Sequence, residues 1–92
     1  MATIIIPTPL RKFTNNEAKI NVTGNTVIEA IKDLKNNHPD IIEHLINDDF
    51  KLKGFIRIYI GDEDINAHNG IETSIKEDDI ISIIPAIAGG LN

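Results

Sequence analysis

Residues 80–85 read Ile80-Ile81-Ser82-Ile83-Ile84-Pro85, and this stretch decides the fold. Isoleucine is stiff at its branched β-carbon and packs well on a pleated surface, so such a run favours a strand over a helix. Apolar residues on both sides of the pleat predict burial on both faces, and Pro85, which has no N–H to give a ladder, ends the strand. Thr3-Ile4-Ile5-Ile6, closed by Pro7, has the same character. These are the two most continuous apolar strands in the chain, so they are placed side by side at the centre of one sheet. Parallel neighbours need a long crossover, and a helix between them supplies it.

Working outward, Glu17 to Val22 alternates, with Ala18, Ile20 and Val22 on one side and Glu17, Lys19 and Asn21 on the other. That is a half-buried strand, hairpin-paired with the first across a polar loop at Arg11 to Asn16. Thr26 followed by Glu29 is a capping-box pattern. Val27, Ala30, Ile31 and Leu34 then recur on one face of an amphipathic helix. His38-Pro39 stops it, and Pro39 opens a short second helix carrying Ile41, Ile42, Leu45 and Ile46. Ile56, Ile58 and Ile60 line one face of the next strand, Gly61 to Asp64 forms a turn, and Asp64 to Asn66 adds a short edge strand. Gly70 to Asp79 is irregular, with room for one tight helical turn. The expected class is α+β: a mixed sheet of about four or five strands, one main helix across a face and a short second helix.

Composition narrows the function. Ninety-two residues make one domain with a modest core. Nine basic residues against 14 acidic leave a net charge of −5, which argues against a nucleic-acid binder and suits docking on a basic partner. Without cysteine there is no disulfide framework, thiolate metal site or thiol nucleophile. No apolar run approaches the roughly 18 residues of a membrane span. Met1 to Ile6 lacks a basic n-region and meets Pro7 early, so no signal peptide is read and a cytoplasmic location is expected.

Catalytic patterns are missing. There is no phosphate-binding glycine loop, dinucleotide fingerprint or His-Glu-x-x-His pair. His38 reads as a cap residue, His44 as an exposed helix residue and His68 as a solvated turn residue. Asp62, Asp64 and Asn66 match the opening of a calcium loop, but Ala67 stands where glycine is needed and Thr73 where the closing Glu belongs. Neither a bound cofactor nor a metal site is expected. That leaves the terminus, Pro85-Ala86-Ile87-Ala88-Gly89-Gly90-Leu91-Asn92. The expected division is a compact body over residues 1–85 and a flexible tail over 86–92. Glycines in such a tail fit a narrow catalytic channel that a Cβ would block. A terminal glycine carboxylate is inert until an ATP-dependent enzyme makes it an acyl-adenylate. Attack by a lysine then yields an isopeptide bond, and attack by a sulfur donor yields a thiocarboxylate.

The element order, together with the ending Ile84 to Gly90, resembles the ubiquitin-like β-grasp sulfur carriers. That group includes the small subunit of molybdopterin synthase and the thiamine-pathway carrier, and the nearest likeness is to the carrier of O-phosphoserine-dependent cysteine synthesis. The resemblance runs from Ile6-Pro7-Thr8 and Leu10-Arg11, through Gly24 to Ile31 and Phe55 to Ile60, to Asp62-Glu63-Asp64-Ile65, Gly70 to Thr73, Asp79 and the tail. It implies a protein cosubstrate and not an enzyme, with Gly90 carrying the thiocarboxylate and Gly89 and Ala88 threading the partner's channel. It implies docking through Ile84, Pro85 and Ile87. The implied partners are a ubiquitin-activating-type adenylating and sulfurating enzyme that uses ATP, and a downstream synthase such as a cysteine-synthase-like enzyme. Molybdopterin or thiamine remain possible end products. Two departures stand out. Glu77-Asp78-Asp79 lacks the glycine that relatives often carry there, and Leu91-Asn92 extends past the Gly-Gly pair. The second departure implies cleavage between Gly90 and Leu91 by a JAMM-type zinc peptidase. Two other readings stay open: a ubiquitin-like modifier joined to lysines through Gly90, and a non-covalent interaction module.

Overall fold

The computed structural model describes residues 1–85. Among them, β1 (Ala2–Ile5), β2 (Lys19–Val22), β3 (Ile56–Ile60), β4 (Glu63–Asp64) and β5 (Ile80–Pro85) form one sheet in the order β2-β1-β5-β3-β4. The first and last strands are central and parallel, with Thr3 opposite Ile80 and Ile5 opposite Ser82. β2 and β3 flank them as antiparallel neighbours. The crossover carries α1 (Val27–Asn37) and α2 (Pro39–Ile42) over one face of the sheet.

α1 forms where the capping residues place it. The Thr26 hydroxyl accepts from the Glu29 amide at 3.3 Å, and the Glu29 carboxylate reaches back to the Asn25 amide at 2.8 Å. The reach is one residue longer than in the usual box, yet both orphan donors are satisfied. Val27, Ala30, Ile31 and Leu34 are fully buried against Ile4, Val22, Ile58 and Ile81 from the sheet. Backbone bonds from Val27 N to Thr73 O (3.0 Å) and from Ile75 N to Asn25 O (2.9 Å) tie the start of α1 to the chain that leads into β5. His38 caps α1, as its place before Pro39 anticipates.

Several expectations need correction. The stretch read as a loop from Arg11 is partly a 3₁₀ helix, Thr8–Phe13, held by Arg11 Nε donating to the Ile6 carbonyl at 3.0 Å. Asn15 and Asn16 then turn the chain with positive φ, a conformation asparagine tolerates. α2 is a single turn, so His44 falls beyond it and stacks on Phe13 with ring centroids 4.3 Å apart. The edge strand begins one residue earlier than read, at Glu63, and Ile65–Ala67 is a 3₁₀ turn. Most consequential, β5 is not buried on both faces: Ile80 is 45% exposed and Ile84 43% exposed, while Ile81 and Ile83 lie in the core. Ile5 on β1 is likewise only partly covered. The helices cover one face of the sheet, and no element among the described residues covers the other.

Candidate functional site

The uncovered face is built by strand alternation alone. β5 turns Ile80, Ser82 and Ile84 outward, because Ile81, Ile83 and Pro85 point to the helices. Register brings neighbours to them: Thr3 beside Ile80, Ile5 and Tyr59 beside Ser82, and Arg57 beside Ile84. The outcome is an apolar strip along the central strand, rimmed by a hydroxyl, a phenol and a guanidinium. Arg57 donates to the Asp64 carboxylate on β4 at 3.2 Å. Asp64 also accepts from the Asn66 amide at 2.8 Å, so the residues that looked like a calcium loop serve as a turn cap and an ion-pair partner. Arg57 is half exposed in this pair while Asp64 is mostly covered, and the contact orients the guanidinium more than it stabilises the fold.

Among the described residues, no group of three or more metal-ligating side chains exists. Every buried polar side-chain atom among them has a hydrogen-bond partner, so none waits for a ligand. His68 is hydrogen-bonded to Glu63 in an exposed turn, and Ser74 lies on a bridge to Thr26.

Of the residues that the sequence singles out, Ile84 stands on the outer face and Pro85 is buried on the helix side, opposite Ile56. Ile87, Ala88, Gly89, Gly90 and Leu91 lie outside the described residues, as does the whole of the tail assigned to 86–92. Sequence reasoning missed Ile80, Ile5, Tyr59 and Arg57. The signal for them was Ser82, a hydroxyl in an otherwise all-isoleucine run, which marks the side of β5 that is not core.

The ThiS family matches residues 4–90 of the chain. The sulfur carrier protein CysO of Mycobacterium tuberculosis is 38% identical over 90 residues, which span 96% of this chain and 97% of that protein. Among solved structures, the Amycolatopsis orientalis BexX/CysO complex includes a chain that superposes with a TM-score of 0.91 and 39% identity, covering 98% of this chain and 100% of that one. The small archaeal modifier protein 1 of Methanosarcina acetivorans superposes with a TM-score of 0.84 at 24% identity, covering 97% and 95% of the two chains. These likenesses agree with the sheet order and crossover described above, and the fold is the ubiquitin-like β-grasp.

Proposed function

This chain belongs to the ThiS family, and from that premise we propose that it is a sulfur carrier loaded as a thiocarboxylate on Gly90. The observation that carries the reading is near-full-length similarity to a sulfur carrier protein, joined to a family match that runs to Gly90 and leaves Leu91-Asn92 outside it. The chain acts as a cosubstrate in the cytoplasm: partner enzymes do the chemistry, and this protein presents the group.

The steps follow from the chemistry of a carboxylate. A JAMM-type zinc peptidase adds water across the Gly90–Leu91 peptide bond, releasing Leu91-Asn92 and exposing the Gly90 carboxylate. A ubiquitin-activating-type enzyme then guides a carboxylate oxygen onto the α-phosphorus of ATP, and pyrophosphate leaves. Sulfide attacks the resulting acyl carbon, AMP leaves with the carboxylate-derived oxygen, and a thiocarboxylate remains. Its sulfur attacks the acceptor held by a downstream synthase of the cysteine-synthase type, and water then cleaves the resulting thioester, freeing the thiol product and restoring the Gly90 carboxylate. Gly89 and Ala88 fit this path, because small residues let the backbone pass through a narrow channel. Ile84, with Ile80 and Tyr59, gives the partner an apolar strip to dock on while the tail is engaged.

Pyrophosphate exchange tests the order of events. With the adenylating enzyme of the same organism, a chain ending at Gly90 supports exchange of labelled pyrophosphate into ATP, and the 92-residue chain does not until the peptidase is added. Equal exchange by both forms without peptidase would remove the processing step from the account.

A further inference from the structure

Away from the outer face, one loop carries a backbone conformation that its sequence does not favour. Phe50 has φ +59° and its side chain is 37% exposed. A bulky residue in the left-handed region is an outlier, and such strain persists only where the surroundings impose it. They do so here. The Asn47 side chain accepts from the amides of Asp49 (3.0 Å) and Lys51 (3.1 Å), Phe50 N donates to the Asn47 carbonyl (3.0 Å), and Asn47 N donates to the Lys51 carbonyl (2.9 Å). The clamp holds the phenyl ring out from the body, where Lys32 Nζ approaches its centroid to 5.3 Å and Lys35 Nζ to 5.9 Å.

One groove runs from this ring, and a second adjoins it through Lys53, which lines both. The first, about 470 Å³, is walled by Phe50, Ile42, Ile46 and Lys35, with Glu43 and Asp48 also on its lining. The second, about 330 Å³, has Lys51, Lys53 and Arg57 around Leu52 and Ile71, and no carboxylate among its lining residues. Together they gather four of the nine basic side chains, Lys35, Lys51, Lys53 and Arg57, of a protein whose net charge is −5. Among the described residues, Lys32, Lys35, Lys51 and Lys53 form no ion pair within 4.0 Å, and Arg57 alone is engaged, with Asp64.

We propose that the Phe50 loop and the cationic groove beside it form a second docking surface, which takes an acidic peptide segment bearing an aromatic or large apolar residue from a partner protein. The apolar residue stacks on Phe50 in the first groove, and the carboxylates meet Lys51, Lys53 and Arg57 in the second. A rigid ring and a pre-clamped loop lose little freedom on binding, which favours a short linear segment. The overall negative charge repels a long polyanion such as a nucleic acid, whereas a few carboxylates meet the local positive field alone. The surface involves no residue of the tail and stands whether or not Gly90 is loaded; it shares only Arg57 with the rim of the outer face.

The test is a titration of the isotope-labelled full chain, followed by amide chemical shifts, with a synthetic peptide that alternates Glu and Asp with Phe and Leu. The expected result is movement confined to residues 32–35 and 47–57, with the outer-face residues 80–84 still. Affinity should fall at least about threefold between roughly 50 and 300 mM salt, since the contact is charge-led and exposed. The paired change Lys51→Glu with Lys53→Glu abolishes the shifts. Phe50→Asn, which tolerates the same φ, weakens them about fivefold with the remaining spectrum unchanged. Equal binding of the Gln/Asn isostere, movement centred on 80–84, no movement at all, or displacement of the peptide by a single-stranded oligonucleotide would each overturn the proposal.

Discussion

At the scale of a single residue, Gly24 shows how tightly the entry to α1 is drawn. Its φ is +145°, and a β-carbon there would lie 2.8 Å from the Glu29 side chain and 3.0 Å from the Ala30 amide nitrogen. Both the conformation and the space exclude other residues, so Gly24→Ala should cost roughly 1–3 kcal/mol, read as a lowered midpoint in urea unfolding. A variant with the parent midpoint would mean that the turn relaxes freely. Gly24 was visible in the sequence only as part of a resemblance, because its role depends on how closely the turn approaches α1. The Thr26–Glu29 cap was legible by contrast, since spacing alone brings those two side chains to the helix start. Phe50 was not legible: nothing about a phenylalanine after Asp48-Asp49 announces a left-handed backbone.

At the scale of the element, β5 is where reading and structure part most usefully. Its central, parallel place beside β1 followed from continuous apolarity, which is a statement about neighbours in the sheet. The inference of two buried faces failed because burial depends on what covers the sheet, and one crossover carrying α1 and α2 covers one side. Ile84 is therefore a surface residue on a rigid strand. Exposed positions away from special features tolerate change within about 0.5 kcal/mol, so Ile84→Glu should leave the unfolding midpoint almost unmoved. It should nevertheless lower the rate of adenylation at subsaturating carrier by about tenfold or more, because a carboxylate would be placed in an apolar contact. A normal rate at subsaturating carrier would show that partners do not use this strip.

At the scale of the whole molecule, fold and function were legible to different depths. The β-β-α-β-β-β order, the sheet centre and the main helix could be read because short-range pattern and long-range packing agree in this chain. The outer face and the two grooves could not, as each depends on residues distant in sequence meeting at a surface, and the Phe50 loop could not because its left-handed turn is set by an Asn47 clamp that no sequence pattern announces. The proposed division of labour rests on both. Residues 1–85 hold a well-packed body, in which no group of three or more metal-ligating side chains occurs, and the proposed chemistry belongs to Gly90. Intact-mass spectrometry of the protein isolated from its own organism under sulfur limitation tests this most directly. The account predicts a species lacking Leu91 and Asn92 that carries the added mass of one oxygen-to-sulfur exchange, localised to Gly90 by fragmentation. A single full-length mass, unchanged by sulfur supply, would contradict it.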